Sequence, residues 1–138
     1  MTRVLGIDPG TKRCGIAITD SARTMAFPRP ALARDGELFD HLAGLIEEEG
    51  VDTVVIGRPL ALSGNVTSST DDADSVYHDL TQRFTNLLIV QVDERLTTVS
   101  AQKSLSEAGL KTKAHGDRID SAAAVVILQN YVDGLNAG

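Results

Sequence analysis

The sequence predicts an α/β domain: a mixed five-stranded sheet, three antiparallel strands plus two parallel ones, flanked by about four helices. Three observations predict it. Apolar runs at 3–8, 14–19 and 25–33 follow one another over short turns, as in an antiparallel meander. After residue 36 the apolar period lengthens to that of a helix. Helical stretches then alternate with the short apolar runs 53–57 and 87–92, the pattern of parallel strands joined by crossovers.

Each element has its own local warrant. The first two strands are joined by a tight turn through Gly10, Lys12 and Arg13. Pro28 and Pro30 deprive the third strand of backbone donors and confine it to a sheet edge. Over 36–49, Leu38, Leu42, Leu45 and Ile46 share one helical face, and Gly50 supplies the stop. His41 sits beside that face, in a packing or surface position. The run 53–57 (TVVIG) reads as a buried strand that leads into Arg58-Pro59-Leu60 and a polar loop. A second helix over 70–84 carries Ala73, Val76, Tyr77, Leu80 and Phe84 on one face. Asp71, Asp72 and Asp74 near its start suit the positive end of the helix dipole. His78 points away from that stripe. Residues 87–92 (LLIVQV) are apolar on both faces, as in a central parallel strand, and end on Asp93 and Glu94. A third helix over 98–108 is opened by Thr97 or Thr98 and closed by Gly109. A basic, glycine-bounded loop, 109–117, precedes a last helix over 118–132 that is apolar almost all round.

Composition bounds the function. The 138 residues suit one domain over 1–138, and 42% hydrophobic with 23% charged residues is ordinary for a globular protein. No apolar run approaches the roughly 20 residues that span a bilayer, so no membrane partner is expected. The N-terminus enters a strand at once, which predicts a cytoplasmic location. The single cysteine, Cys14, lies on an apolar strand and reads as a buried small hydrophobe. A net charge of −6 argues against a broad phosphate-binding surface. The segment 83–118 is an exception, with six basic residues against four acidic ones.

Chemistry concentrates at strand ends. The first strand stops on Asp8, in a position where burying a carboxylate is costly unless donors or a cation compensate. Turn chemistry alone also explains Asp8-Pro9-Gly10. In open α/β sheets, however, ligands gather beyond the carboxyl ends of strands, where Asp8 and one of Asp93 and Glu94 fall. Adjacent strand residues face opposite ways, so only one of that pair is expected to reach a shared ligand. The last helix supplies a third acid. At about 100° per residue, Asp120 lies within roughly 80° of the centre of the buried face, and Asp117 about 140° away. Asp117 is the natural N-cap, while Asp120 is a capping residue or a ligand. Three converging carboxylates repel one another unless a hard divalent cation, Mg²⁺ or Mn²⁺, sits among them. Two such ions about 3.5–4 Å apart serve in-line phosphoryl displacement, which needs neither His nor Cys.

Four blocks, GIDPGTKRCGIAITD, VVIGRPL, VDERLTT and RIDSAAAVVILQNY, resemble the YqgF family in order and spacing from about residue 3 to 132. These are ribonuclease H-like proteins called pre-16S rRNA nucleases or Holliday junction resolvase-like proteins. The opening block is also similar to that of the RuvC resolvases. The resemblance implies a ribonuclease H-like fold and a metal-dependent nuclease with Asp8, Glu94 and Asp120 as catalytic acids and metal ligands. It is the family's block that selects Glu94 over Asp93. Gly10, Thr11 and Lys12 match the family's GTK turn, where backbone, hydroxyl and cation could meet substrate phosphate. Arg58 and Arg95 would clamp a phosphate or merely neutralise nearby acids. Lys111, Lys113 and Arg118 would grip the nucleic acid, or form a solvated loop. The implied substrate is pre-16S rRNA, with branched DNA the alternative.

Rival functions make different demands. Resolving a four-way junction needs paired cuts and hence a homodimer, whereas rRNA trimming is open to a monomer. A phosphotransferase of the actin and sugar-kinase type shares an Asp-x-Gly hairpin but places ATP between two domains. A non-catalytic RNA-binding or transcription-associated factor fits poorly with the acidic charge and the 4% aromatic content.

Overall fold

The structure is a computed structural model that describes residues 2–96 and 121–137. Five strands, β1 (Arg3–Pro9), β2 (Arg13–Thr19), β3 (Ala26–Ala33), β4 (Val51–Arg58) and β5 (Leu88–Asp93), form one sheet in the order β3-β2-β1-β4-β5. The first three strands pair antiparallel, and β4 joins β1, and β5 joins β4, in parallel. This is the predicted mixed sheet, and β3, with its two prolines, is an edge strand. Three α-helices are described: α1 (Leu38–Glu49), α2 (Ser68–Arg83) and α3 (Ala122–Ala137). The expected helix over 98–108 and loop over 109–117 lie outside the described residues.

Side-chain alternation along the strands divides the apolar residues between two cores. Leu5, Ile7, Ile16, Val54 and Ile56 pack against Leu38, Leu42 and Ile46 of α1 and Val76 and Leu80 of α2. On the other face, Val4, Ala17, Ala26 and Val55 meet Ala123, Ala124, Ile127, Leu128 and Val132 of α3. Burying each larger aliphatic side chain stabilises the fold by about 1.5–3 kcal/mol. The alanines of α3 allow a close approach: a Cβ on Gly6 would lie 2.8 Å from Leu128 Cβ and 3.2 Å from the Ala124 carbonyl. Cys14 is fully buried, and desolvation pushes its thiol up to about 11, so it packs as a hydrophobe.

Helix ends follow the sequence cues with local differences. Gly50 takes the left-handed conformation (φ 66°) and closes α1 with its N–H on the Ile46 carbonyl. Thr67 caps α2 in a reciprocal box with Thr70, which starts the helix two residues before the predicted 70. α3 continues to Ala137 rather than ending at 132. Gln129 donates to Asp133 at 2.9 Å, and Asn136 donates to the Arg23 carbonyl at 3.1 Å, which secures the polar last turns.

One expectation is overturned. β5 is an edge strand in the described sheet, not a central one, and Leu88 is 58% exposed. Its two-sided apolarity has another cause: Ile89 packs on the α1/α2 side and Val92 on the α3 side. No described helix is long and apolar enough to cross a membrane.

Candidate active site

Asp8 and Glu94 come to the same end and the same face of the sheet. Val4 and Gly6 of β1 face α3, so Asp8, two residues further on, points to that side as well. On β5, Val92 faces α3, and Glu94 follows two residues later at the start of a single 3₁₀ turn, Glu94–Leu96. Both acids are buried, Asp8 at 8% and Glu94 at 5% exposure. Between their strands runs β4, which carries Gly57 at this level, in register with Val92. A Cβ on Gly57 would lie 3.1 Å from Glu94 Oε2 and 2.6 Å from Ile127 Cδ1. The Glu94 carboxyl therefore lies over the end of β4, in space that only a glycine leaves open. Asp8 is in turn paired with Gly15 of β2, so small residues flank it on that side too.

The geometry separates Glu94 from Asp93, which the residues alone left open. Asp93 pairs in register with Arg58 and binds its own neighbour Arg95, with Nη2 2.7 Å from Oδ2. Asp93 is held below the ordinary carboxylate value mainly by hydrogen bonds from Arg95. It is an ion-pair partner, while Glu94 is the buried acid beside Gly57.

The third acid, Asp120, lies outside the described residues, as do Asp117, Lys111, Lys113, Arg118, Thr97 and Thr98. Ser121, the residue after Asp120, is fully buried. Its Oγ accepts the Ile16 N–H at 3.1 Å and donates to the Arg29 carbonyl at 2.5 Å. Ile16 adjoins Gly15, the partner of Asp8, so Ser121 is anchored beside the Asp8 end of β1. Among the described residues no three His, Cys, Asp or Glu side chains form a metal-holding group.

The cationic candidates divide. Thr11 and Lys12 are exposed in the turn after Asp8. Gly10 is required by that turn, because a Cβ there would sit 2.3 Å from the Arg13 carbonyl. Arg58 ends β4 in a forked pair with Asp74 of α2, with Nε to Oδ1 at 3.0 Å and Nη2 to Oδ2 at 3.1 Å. Gln91 of β5 donates to the same carboxylate at 2.9 Å. Arg95 is occupied by Asp93. Of the two readings of Arg58 and Arg95, neutralising acids is the one seen here. Asp72 and Asp74 are likewise more than helix-start charges, since Asp72 binds Arg34 at 2.8 Å. His41 is exposed, 3.8 Å from Glu37.

The Asp74 pair has a pH signature. Hydrogen bonds from Arg58 outweigh partial desolvation and hold its carboxyl below the ordinary 3.8. A depressed folded value means the pair stabilises the protein fully above 3.8 and fades as pH falls through the lowered value. Asp74→Asn is expected to lower the urea midpoint at neutral pH. The deficit relative to the native chain should vanish well below pH 3.8; a deficit constant with pH would contradict this.

Solved structures share this architecture. A Thermus thermophilus RuvC in complex with a Holliday junction substrate aligns with TM-score 0.59 at 12% identity, covering 98% of this chain and 96% of that one. The fowlpox virus resolvase with junction DNA aligns with TM-score 0.62 at 12% identity, covering 97% and 99%. The fold is thus ribonuclease H-like, shared with those two chains. The RuvX Holliday junction resolvase family profile matches residues 2–134, and the chain belongs to that family of nucleases. A Mycobacterium ulcerans protein named "Putative pre-16S rRNA nuclease" is 41% identical over 133 residues, 95% of this chain and 78% of that protein. A Halalkalibacterium halodurans protein of the same name is 38% identical, over 95% of this chain and 96% of its own length.

Sequence reasoning gave no role to two residues at this end of the sheet. Gly57 closes an apolar strand, and its role emerges only when β5 is laid beside it. Arg34 precedes α1 in a stretch without apolar pattern, and its partners are distant in sequence.

Proposed function

We propose that residues 1–138 act in the cytoplasm as one divalent-metal-dependent endonuclease domain for structured nucleic acid, cutting precursor 16S rRNA at its 5′ side during ribosome maturation. The observation that supports this most is the pair of buried acids, Asp8 and Glu94, on one face of the sheet end with glycine between their strands. Hard carboxylate oxygens without His or Cys suit Mg²⁺ or Mn²⁺. Asp8, Glu94 and Asp120 would hold the metal, and Gly57 leaves the room their oxygens need. Two bound ions would supply an activated water and stabilise the leaving oxygen.

The chain's own residues do the rest. Asp8 and Glu94 fix where the scissile phosphate must come, since both are built on strands of a rigid sheet. Thr11 and Lys12, exposed beside Asp8, would meet the substrate backbone with a hydroxyl and a cation. Lys111, Lys113 and Arg118 would add electrostatic grip, sensitive to salt. Arg58 and Arg95 would reach phosphate only by exchanging their carboxylate partners.

A second reading, resolution of four-way DNA junctions, is favoured by the family's description and by the two resolvase structures. It requires a homodimer with two linked sites. One Mn²⁺-supported assay decides between them, with rRNA precursor and four-way junction offered side by side and the protein's mass measured in solution. Cleavage of the precursor by a monomer supports the first reading. Symmetric cuts in the junction by a dimer support the second, and cleavage of neither refutes both.

A further inference from the structure

Arg34 lies between β3 and α1, yet it joins three separate parts of the molecule. Its Nη1 donates to the Gly10 carbonyl at 2.7 Å and to Asp72 Oδ2 at 2.8 Å, and its Nη2 donates to Asp72 Oδ1 at 3.1 Å. Its backbone N–H donates to the Lys12 carbonyl at 2.9 Å. The turn after Asp8 is therefore held at two carbonyls by one residue, and that residue is locked to α2 by a forked ion pair. The side chain is only 20% exposed, so water competes weakly for the fork.

A surface ion pair of this length would ordinarily contribute little. This one differs in what it holds. Gly10 follows Asp8 by two residues, and no side chain at position 10 could share the space with the Arg13 carbonyl. Gly10 is joined to Asp8 through Pro9 alone, whose fixed φ removes one of the torsions that could absorb a shift of the turn. We propose that Arg34, clamped by Asp72, is a positioning residue: it sets the aim of Asp8 from the turn behind it. The proposal rests on the reading of Asp8 as a metal ligand. Geometry of the supporting groups commonly decides whether a ligand set grips its metal.

Arg34→Lys tests this, because it keeps the charge and loses the planar fork that spans Gly10 and Asp72. Mn²⁺ binding is measured by calorimetry without nucleic acid, and cleavage is measured in parallel, both well below the melting temperature. The expected result is a Kd for Mn²⁺ raised about tenfold and kcat lowered about tenfold, with KM for nucleic acid unchanged. Arg83→Lys is the control for general loss of packing: its guanidinium stacks 4.7 Å over Phe39, and its Mn²⁺ affinity should match the native chain. Native Mn²⁺ affinity and kcat in Arg34→Lys would overturn the proposal while leaving the nuclease reading intact. Weakened Mn²⁺ binding in a protein that cuts neither RNA nor DNA would sustain the positioning role and sink the nuclease reading. A native chain that binds no Mn²⁺ would overturn both.

Discussion

Asp8→Asn is expected to abolish Mn²⁺-supported cleavage while leaving the folded protein as stable as before, or more so. Asp8 is 8% exposed at the end of β1, on the face that also carries Glu94. Two buried carboxylates that share one end of a sheet repel when both are ionised, and each pays for its lost hydration. The amide of Asn keeps the shape and removes one charge, so the metal-free fold has less to oppose it. The reaction has the opposite dependence. A neutral amide oxygen is a weak ligand for a hard divalent cation, and the loss should exceed the roughly 10–100-fold typical of changes one shell further out. Urea unfolding without metal and cleavage with Mn²⁺, measured on the same preparation, separate the two effects. A variant that cuts at the native rate would remove Asp8 from the chemistry. One that is much less stable would show that the carboxylate serves the fold.

The sheet was legible because its signals are local. Alternation along β1 and β2, the glycine turn between them and the prolines of β3 each act within a few residues, and the structure bears them out. β5 lies at an edge rather than in the centre: apolarity on both faces reports helices above and below a strand, not strands on both sides. The polar end of α3 was missed because its last turns are secured by contacts such as Asn136 to the Arg23 carbonyl, which no periodicity reveals. The charges follow the same rule. Asp72 and Asp74 look like favourable charges at a helix start, but their partners, Arg34 and Arg58, lie 38 and 16 residues away. Resemblance selects Glu94 over Asp93, and the burial of Glu94 against Gly57, with Asp93 paired to Arg95, gives that choice a physical basis.

Gly57→Ala is expected to damage the site more than the fold, and Gly6→Ala the fold more than the site. The two glycines lie on adjacent strands and face the same helix, so the comparison holds the surroundings nearly constant. At Gly6 the added methyl would meet Leu128 Cβ at 2.8 Å and the Ala124 carbonyl at 3.2 Å, both fixed parts of α3. Separating helix from sheet there should lower stability by about 1–3 kcal/mol, as overpacking does. Cleavage per folded molecule should change little, because neither contact is an acid. At Gly57 the methyl would meet Ile127 Cδ1 at 2.6 Å, the tip of a side chain that can turn aside, and Glu94 Oε2 at 3.1 Å. Relief there must come partly from Glu94, so the carboxylate moves off the end of β4. Cleavage should fall by about tenfold or more, in line with misplacing a reacting group by a fraction of an ångström. Urea unfolding and Mn²⁺-supported cleavage of both variants check the contrast. Equal loss of activity in the two would mean that the contact between Gly57 and Glu94 is packing alone.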